Sequence, residues 1–457
     1  MTWDSKLRGY VALADDFRSG KTSPRAFLDE TFRLMDRHES RIKAFTSIGR
    51  ERAIDAANES TMRWRNGKAL SAIDGMPIAI KDVIETIDLP TGQGSLLLDG
   101  TMSGRDSASV HALREAGAVI VGKTTTTEFA SFHAFHETRN PHDPERTPGG
   151  SSSGSAAAVG MGMVPVALGT QVVGSIVRPS SYCGAVGFKP SYGAINRGGV
   201  HDHFSQGCQG AIGATLADNW LVLRAIAERA GGDPGYAGLA GDPDLTGKAA
   251  PSRIAVLETG GWSTATEGAR AAFSDARRRL AGAGIEVRSR VDDPDIEALE
   301  QAIADALPLT LAINTWEGRW PRNTYAERDA TKLSASAIER IKAAEAMTQQ
   351  EYRQLLARRA AMRTRYAELA GRYDVFAALG ASGAAPIGLG STGNVAMNTA
   401  ASSLGVPALT VPVLQDGGVP LGLQLLSGTD RDAELFSAVA WVLRTVFERC
   451  DLVGSAA

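Results

Sequence analysis

Residues 77–80 read Pro-Ile-Ala-Ile, residues 108–116 read Ala-Ser-Val-His-Ala-Leu-Arg-Glu-Ala, and residues 118–121 read Ala-Val-Ile-Val. The first and last runs are short, apolar and rich in β-branched residues, which predicts buried strands. The middle run has the length and pattern of a helix. This alternation of strand and helix predicts an α/β fold with a largely buried sheet.

The same two patterns recur on both sides of this stretch. Strands are expected at residues 254–257, 375–379, 408–413 and 422–426, and charged amphipathic helices at residues 264–281 and 349–371. Residues 6–66 carry helix-period patterns. We therefore predict one domain built from a helical N-terminal layer (1–70), a core (71–250), a variable helical subdomain (251–372) and a return to the core sheet (373–457).

Composition narrows the class of protein. The 457 residues are 43% hydrophobic and 22% charged, which is typical of a globular chain rather than a disordered one. The net charge of −3, with no basic stripe, disfavours a nucleic-acid partner. The charged start lacks a secretory signal, and residues 156–169 are too short and too interrupted to span a membrane. A cytoplasmic protein without a membrane partner is expected.

Two short motifs match well-known sites but lie in the wrong context. Residues 117–124 spell the phosphate-binding loop pattern, yet their centre is a β-branched run that favours a buried strand. Residues 150–154 spell the nucleophile elbow of α/β-hydrolases, which would make Ser152 the nucleophile. That elbow should follow a strand, whereas residues 140–148 are rich in turn formers. Neither motif is adopted.

Metal and disulfide sites are also not expected. His133, His136, His201 and His203 have feasible spacings for metal ligands, but no carboxylate or cysteine pattern completes a site. The three cysteines are too few and too scattered for a disulfide framework or a zinc site. No metal and no organic cofactor is predicted.

Lys81 and Ser175 form a chemically informative pair. Lys81 directly follows the apolar strand at residues 77–80, so its amine is expected in the interior, where burial favours the neutral form and allows it to act as a base. A serine hydroxyl needs such a base to become a good nucleophile. Ser175 lies in a glycine-containing turn, residues 169–179, that could aim several backbone N–H groups at one point as an oxyanion hole.

Four segments resemble the amidase signature family. They are residues 75–82, residues 122–130, residues 140–155 and residues 174–190, with a weaker match at residues 405–425. The resemblance runs through most of the chain and is least evident across residues 253–390. It implies the amidase signature fold, in which a large mixed β-sheet is flanked by helices on both faces.

The resemblance also implies a Ser-cisSer-Lys catalytic triad. Lys81 would be the base, Ser151 the bridging serine on a cis peptide, and Ser175 the nucleophile. Protons would pass from Ser175 through Ser151 to Lys81, and an acyl-enzyme would form and be hydrolysed by water. The oxyanion would be held by backbone N–H groups of Val172, Val173, Gly174 and Ser175.

The segment before Ser175 departs from the common family pattern. Gln171, Val172 and Val173 replace Asp, Thr and Gly, and the arginine comes one position later, at Arg178. Gln171 and Arg178 resemble the malonamidase-like branch, where they are candidates for substrate binding. A structural role for Arg178 is equally compatible. Because valine disfavours positive φ, this loop must use a conformation open to L-residues.

These patterns predict an amidase that cleaves a small amide, anilide or carbamate (urethane) C–N bond. The partner is then a small-molecule substrate, and a homodimer is left open. Two alternatives belong to other classes: the amidase-like subunit of a tRNA-dependent amidotransferase, and a non-catalytic binding protein with a relic site. The identity of the acyl and amine groups is left open.

Overall fold

The buried apolar runs pair into one continuous mixed sheet. The computed structural model describes residues 5–131, 133–134, 136–201 and 203–454. In chain order its strands are β1 (Phe45–Ile48), β2 (Pro77–Lys81), β3 (Val119–Thr124), β4 (Val166–Gln171), β5 (Val186–Lys189), β6 (Cys208–Gly213), β7 (Arg253–Val256), β8 (Glu286–Arg288), β9 (Val375–Leu379), β10 (Ala408–Asp416) and β11 (Val419–Leu426). Within the described residues, their order across the sheet is β1-β3-β2-β4-β6-β5-β10-β11-β9-β7-β8.

Parallel and antiparallel pairs alternate in blocks along this sheet. β2 runs parallel to both β3 and β4, and β7 runs parallel to β8 and β9. The middle of the sheet, from β4 through β6, β5, β10 and β11 to β9, is antiparallel. Because the strands of both halves join one ladder, the chain forms a single sheet.

Helices fill the connections between the strands. They are α1 (Ala14–Ser19), α2 (Pro24–Ile42), α3 (Arg50–Arg65), α4 (Ala108–Glu115), α5 (Ser153–Gly160), α6 (Val177–Cys183), α7 (Leu216–Ala230), α8 (Glu267–Gly282), α9 (Pro294–Ile303), α10 (Ala306–Glu317), α11 (Arg319–Asp329), α12 (Ala335–Ala346), α13 (Gln349–Ala370), α14 (Ala396–Leu404) and α15 (Asp432–Trp441). Several start at a side-chain cap. Ser23 caps α2 with Pro24 in its first turn, and Thr348 with Glu351 forms a capping box on α13.

Helices cover both faces of the sheet. Successive side chains of a strand point to opposite faces. In β2, Ile78 and Ile80 pack in a cluster with Trp220 of α7, whereas Ala79 packs in another cluster with Ala157 of α5. This confirms the predicted α/β class, with a mixed sheet between two helical layers.

The apolar patterns located most of the sheet. The predicted strands at 77–80, 118–121, 254–257, 375–379, 408–413 and 422–426 are β2, β3, β7, β9, β10 and β11, and the predicted helices at 108–116, 264–281 and 349–371 are α4, α8 and α13. The N-terminal helices are present too. β1, which pairs with β3 between α2 and α3, was not predicted. The division into four segments remains a prediction.

Helix α5 packs its backbone unusually close to its neighbours. A Cβ atom at Gly154 would lie 2.0 Å from the Ala44 carbonyl oxygen and 2.5 Å from the Thr125 amide nitrogen. Both contacts are with backbone atoms, which cannot rotate away. The packing of α5 therefore requires a glycine at residue 154.

Gly154→Ala is expected to destabilise the protein by about 3 kcal/mol or more, because the added methyl overlaps two backbone atoms. The measurement is the apparent melting temperature, read by circular dichroism. Gly282→Ala is the matched control, since its added Cβ meets no atom within 4 Å. Equal melting temperatures for the two variants would contradict the packing described for α5.

Candidate active site

Lys81 ends β2 in the interior of the sheet. The strand lies between β3 and β4, and the Lys81 side chain has no exposed surface. Its Nζ lies 2.7 Å from the Ser151 hydroxyl oxygen and 2.7 Å from the Thr170 hydroxyl oxygen of β4. The amine therefore lies where the strand pattern predicted, and two hydroxyl groups contact it.

Ser151 is placed by an unusual peptide and by an arginine. The Gly150–Ser151 peptide bond is cis, as the family resemblance implied, and α5 begins two residues later. Arg178 Nη2 donates to the Gly150 carbonyl oxygen at 2.6 Å, and Arg178 Nε donates to the Thr392 carbonyl oxygen at 2.7 Å. The backbone before Ser151 is thus tied to α6 and to the loop that contains Thr392.

Ser175 lies in the short turn that connects β4 to α6. It is partly exposed, and it lines the same cavity as Ser151. Among the residues that the structure describes, no hydrogen bond joins the Ser175 hydroxyl to that of Ser151. The structure therefore shows a direct contact between Ser151 and Lys81. Ser175 lines the same cavity as Ser151.

Gln171 holds this turn in place. Its Oε1 accepts hydrogen bonds from the backbone N–H groups of Ile176 at 2.8 Å and Val177 at 3.0 Å. Its Nε2 donates to Ser402 Oγ of α14 at 3.1 Å. The buried Gln171 amide is thus engaged in fixing the loop, and a substrate contact for it stays a prediction.

The turn offers backbone N–H groups beside Ser175. Neither Val172 nor Val173 has a positive φ, so the loop adopts a conformation that valine tolerates, as expected from the sequence. Ser402 Oγ donates to the Val173 carbonyl at 3.0 Å. Within the described part of the chain, the N–H groups of Val172, Val173, Gly174 and Ser175 have no hydrogen-bond acceptor, as an oxyanion hole requires.

Arg178 is buried, with 2% of its surface exposed. Burial lowers the pKa of its guanidinium to about 10, so it keeps its charge at neutral pH. Its Nη1 has no partner among the described residues, and the residue lines the cavity. The structure shows that Arg178 donates a hydrogen bond to the Gly150 carbonyl oxygen. A contact between Arg178 and a substrate stays a prediction.

The cavity beside Ser175 has walls that the sequence analysis missed. The cavity opens to solvent, and together with this opening it occupies about 500 Å³; Phe129, Phe204, Asn314, Arg322 and Arg340 contribute to its lining. These residues come from two loops and from three helices between residues 306 and 346. No local pattern in the sequence distinguishes them from ordinary packing or surface residues.

The histidines do not assemble a metal site. Among the described residues, no group of three or more His, Cys, Asp or Glu side chains is placed to hold a metal ion. His201 packs 5.6 Å from the Phe129 ring, and burial lowers the pKa of His201 to about 3, so it is neutral at physiological pH. The His201 imidazole therefore packs against the Phe129 ring.

A family comparison agrees with this geometry. The sequence model of the family described as Amidase matches residues 26–436. The chain belongs to the amidase family. Because the match spans most of the chain, it includes the four segments quoted above and also the intervening residues 253–390.

Solved structures of amidases share the fold along nearly the whole chain. The peptide amidase of Stenotrophomonas maltophilia is 26% identical, with a TM-score of 0.77 over 95% of this chain and 96% of that one. A chain from an inhibitor-bound vestigial protein complex, described as revealing the origins of an s-triazine catabolic enzyme, is 26% identical, with a TM-score of 0.83 over 96% of this chain and 98% of that one.

Curated relatives match over a shorter region. The A subunit of glutamyl-tRNA(Gln) amidotransferase from Chloroflexus aggregans is 43% identical over 202 residues, which is 43% of this chain and 41% of that protein. The corresponding protein of Leptospira interrogans is 40% identical over 198 residues, which is 42% of this chain and 41% of that protein. The chain spans about two fifths of the length of these relatives.

Membrane association was not predicted from the sequence. In the described part of the chain, no helix has both the length and the apolar character needed to cross a membrane. Residues 1–4, which belong to the charged start used in predicting a cytoplasmic location, lie outside the described residues.

Proposed function

We propose that this member of the amidase family is an amidohydrolase that cleaves C–N bonds through a serine acyl-enzyme. The observation that carries the proposal is the 2.7 Å hydrogen bond between buried Lys81 and Ser151, at the wall of a cavity that also contains Ser175. A buried amine, a bridging hydroxyl and a partly exposed hydroxyl supply the base, proton relay and nucleophile of such a reaction.

In the first half of the proposed reaction, Ser175 Oγ attacks the substrate carbonyl carbon. The Ser175 proton passes to Ser151 while the Ser151 proton passes to Lys81, whose neutral form burial favours. Contact between the two serine hydroxyls must tighten in the substrate complex, which is common for catalytic hydrogen bonds. The carbonyl oxygen, now negatively charged, receives hydrogen bonds from the N–H groups of residues 172–175.

The second half releases both products. The proton held by Lys81 returns through Ser151 to the leaving nitrogen, the C–N bond breaks, and the amine departs. Water then attacks the ester on Ser175, with its proton taken by the same relay, and the carboxylic acid leaves. As the ester C–O bond breaks, the relay returns that proton to Ser175 Oγ, so the enzyme ends in its starting state.

The proposed substrates are small amides, anilides and carbamates. Support comes from the cavity beside Ser175, in which Val172, Val173, Phe129 and Phe204 provide apolar walls. The presence of Gln171 and Arg178 supports placing the chain in the malonamidase-like branch of the family. In the proposed site, Arg178 contacts the substrate. A carbamate differs from an amide by one oxygen next to the carbonyl, so urethane cleavage uses the same steps.

A second candidate is the amidase-like subunit of a tRNA-dependent amidotransferase. It is supported by the relatives that are A subunits of glutamyl-tRNA(Gln) amidotransferases, which are 40% to 43% identical over about two fifths of their length. The net charge of −3 favours the first candidate. Copurification of tRNA and a partner protein with the expressed chain would favour the second.

Ser175→Ala, Ser151→Ala and Lys81→Met are each expected to lower kcat/KM by about 10³-fold or more, because each removes a part of one relay. The measurement is release of p-nitroaniline from acyl p-nitroanilides and of aniline from matched N-phenyl carbamates.

Ser152→Ala is the matched control for this series. Ser152 is the nucleophile of the rejected elbow motif, and its hydroxyl oxygen lies 3.4 Å from the Thr170 carbonyl oxygen. Its replacement is expected to change kcat/KM by less than about fivefold. Turnover that survives in Ser175→Ala and is lost in Ser152→Ala would contradict the assignment.

Thr170→Val is expected to lower kcat/KM by about tenfold, because Lys81 loses one of its hydroxyl contacts while the side-chain shape is kept. Thr170→Ser keeps the hydroxyl and is expected to stay close to the wild-type rate. Equal loss in both variants would show that packing, rather than the hydrogen bond to Lys81, explains the effect.

A further inference from the structure

Asn314 is an uncharged polar residue in the wall of the cavity that contains Ser175. It lies on α10, three residues after Leu311, which lines the same cavity. Leu309 and Ile313 of this helix are buried in an apolar cluster with Val177 of α6. Packing therefore fixes the helix that presents Asn314. The proposed acyl transfer gives Asn314 no role, so its place in the wall needs a separate explanation.

Gln206 occupies the oxygen of the Asn314 amide. Gln206 has no exposed surface, and its Nε2 donates to Asn314 Oδ1 at 2.9 Å. The same nitrogen donates to the Thr310 carbonyl oxygen of α10 at 3.4 Å. The acceptor side of the Asn314 amide is thus used inside the protein.

Arg359 of α13 determines which way the Gln206 amide faces. Arg359 Nη1 donates to Gln206 Oε1 at 3.2 Å and to Ser205 Oγ at 2.8 Å. A guanidinium group has donors and no acceptor, so Gln206 must turn its oxygen toward Arg359 and its nitrogen toward Asn314. Asn314 must then turn its oxygen toward Gln206. This order of donors and acceptors leaves the Asn314 NH₂ group on the side away from Gln206.

The Asn314 NH₂ group is available to a ligand. Its Nδ2 has no hydrogen-bond partner among the residues that the structure describes, and it is not one of the buried polar atoms that lack a partner. Since Asn314 lines the cavity, this donor faces the space beside Ser175. A ligand that covers the donor without accepting a hydrogen bond leaves it desolvated and unpaired, which is costly. The cavity therefore favours a ligand with an acceptor atom at this point.

We propose that Asn314 determines substrate specificity by donating a hydrogen bond from Nδ2 to a carbonyl oxygen that lies outside the scissile amide. This inference rests on the proposed function, since it describes the substrate of the same cavity. The scissile carbonyl oxygen already has the N–H groups of residues 172–175 as donors, and the N–H of a scissile amide is itself a donor. The substrate is thus an amide that carries a second carbonyl group.

The test compares substrates that differ by one carbonyl oxygen. On the acyl side, 4-oxopentanoyl and 5-oxohexanoyl p-nitroanilides are paired with pentanoyl and hexanoyl p-nitroanilides. On the amine side, N-(4-acetylbenzyl)acetamide is paired with N-(4-ethylbenzyl)acetamide, with the released amine measured by liquid chromatography. At least one ketone is expected to exceed its methylene analogue by about tenfold in kcat/KM, chiefly through KM, as one added hydrogen bond allows.

Substitution of Asn314 assigns that preference. Asn314→Leu removes the donor, and Asn314→Asp keeps an acceptor for Gln206 but replaces the donor with an acceptor. Both are expected to reduce the ketone preference to about twofold or less. Thr315→Val is the matched control on α10, because the Thr315 hydroxyl donates to the Leu311 carbonyl oxygen and Thr315 is not among the described residues of the lining. It should keep the preference.

Gln206→Glu tests the orientation of the amide from outside the described lining of the cavity. Arg359 can still donate to the introduced carboxylate, but Asn314 must now turn its NH₂ group toward it. Asn314 Oδ1 then faces the cavity, so the ketone preference is expected to fall to about twofold or less. Hydrolysis by the wild type without a ketone preference, or an undiminished preference in Asn314→Leu or Gln206→Glu, would overturn the inference.

Binding separates this inference from the proposed function. In Ser175→Ala, calorimetric titration is expected to give at least one of the same ketones a dissociation constant about tenfold below that of its methylene analogue. Loss of this difference when Asn314→Leu is added supports the donor even if the wild type hydrolyses no amide, which would defeat only the proposed reaction. Equal binding within every pair would overturn the inference.

Discussion

The site depends on a lysine amine held in the interior by hydroxyl groups. Lys81 has no exposed surface, and its partners include the hydroxyls of Ser151 and Thr170 and the Thr170 carbonyl. Burying a charged ammonium is costly, whereas a neutral amine can accept a proton from a hydroxyl. The burial of this one side chain therefore requires polar neighbours, and in the proposed reaction it also supplies the base that activates Ser175.

The rest of the architecture keeps these hydroxyls in position. β2 and β4 lie side by side, which places Thr170 next to Lys81. Arg178 fixes the Gly150 carbonyl on one side of Ser151, and α5 packs closely on the other because Gly154 has no side chain. Gln171 links the turn of Ser175 to α14. Segments far apart in the chain thus converge on the Lys81–Ser151 contact and the turn of Ser175, which form the proposed proton path.

How well each part of the structure can be predicted from the sequence depends on whether local or long-range interactions determine it. Strands rich in β-branched residues, such as β3, could be predicted because burial imposes a local pattern. β6, which reads Cys-Gln-Gly-Ala-Ile-Gly, could not, because its glycines carry no strand preference. The role of Gln171 on its own loop depends on Ser402, 231 residues away, and the approach of Arg322 and Arg340 to the cavity depends on how α11 and α12 pack. Neither leaves a local pattern in the sequence.

The most direct test of this account is the rate of Ser175 labelling by an uncharged alkyl fluorophosphonate in the wild type and in Lys81→Met, with the labelled residue identified by mass spectrometry. The account predicts labelling at Ser175 and a rate at least about 10²-fold lower in Lys81→Met. Labelling of Lys81→Met at the wild-type rate would contradict the role of the buried amine. Absence of label from Ser175 in the wild type would instead indicate a non-catalytic relic site.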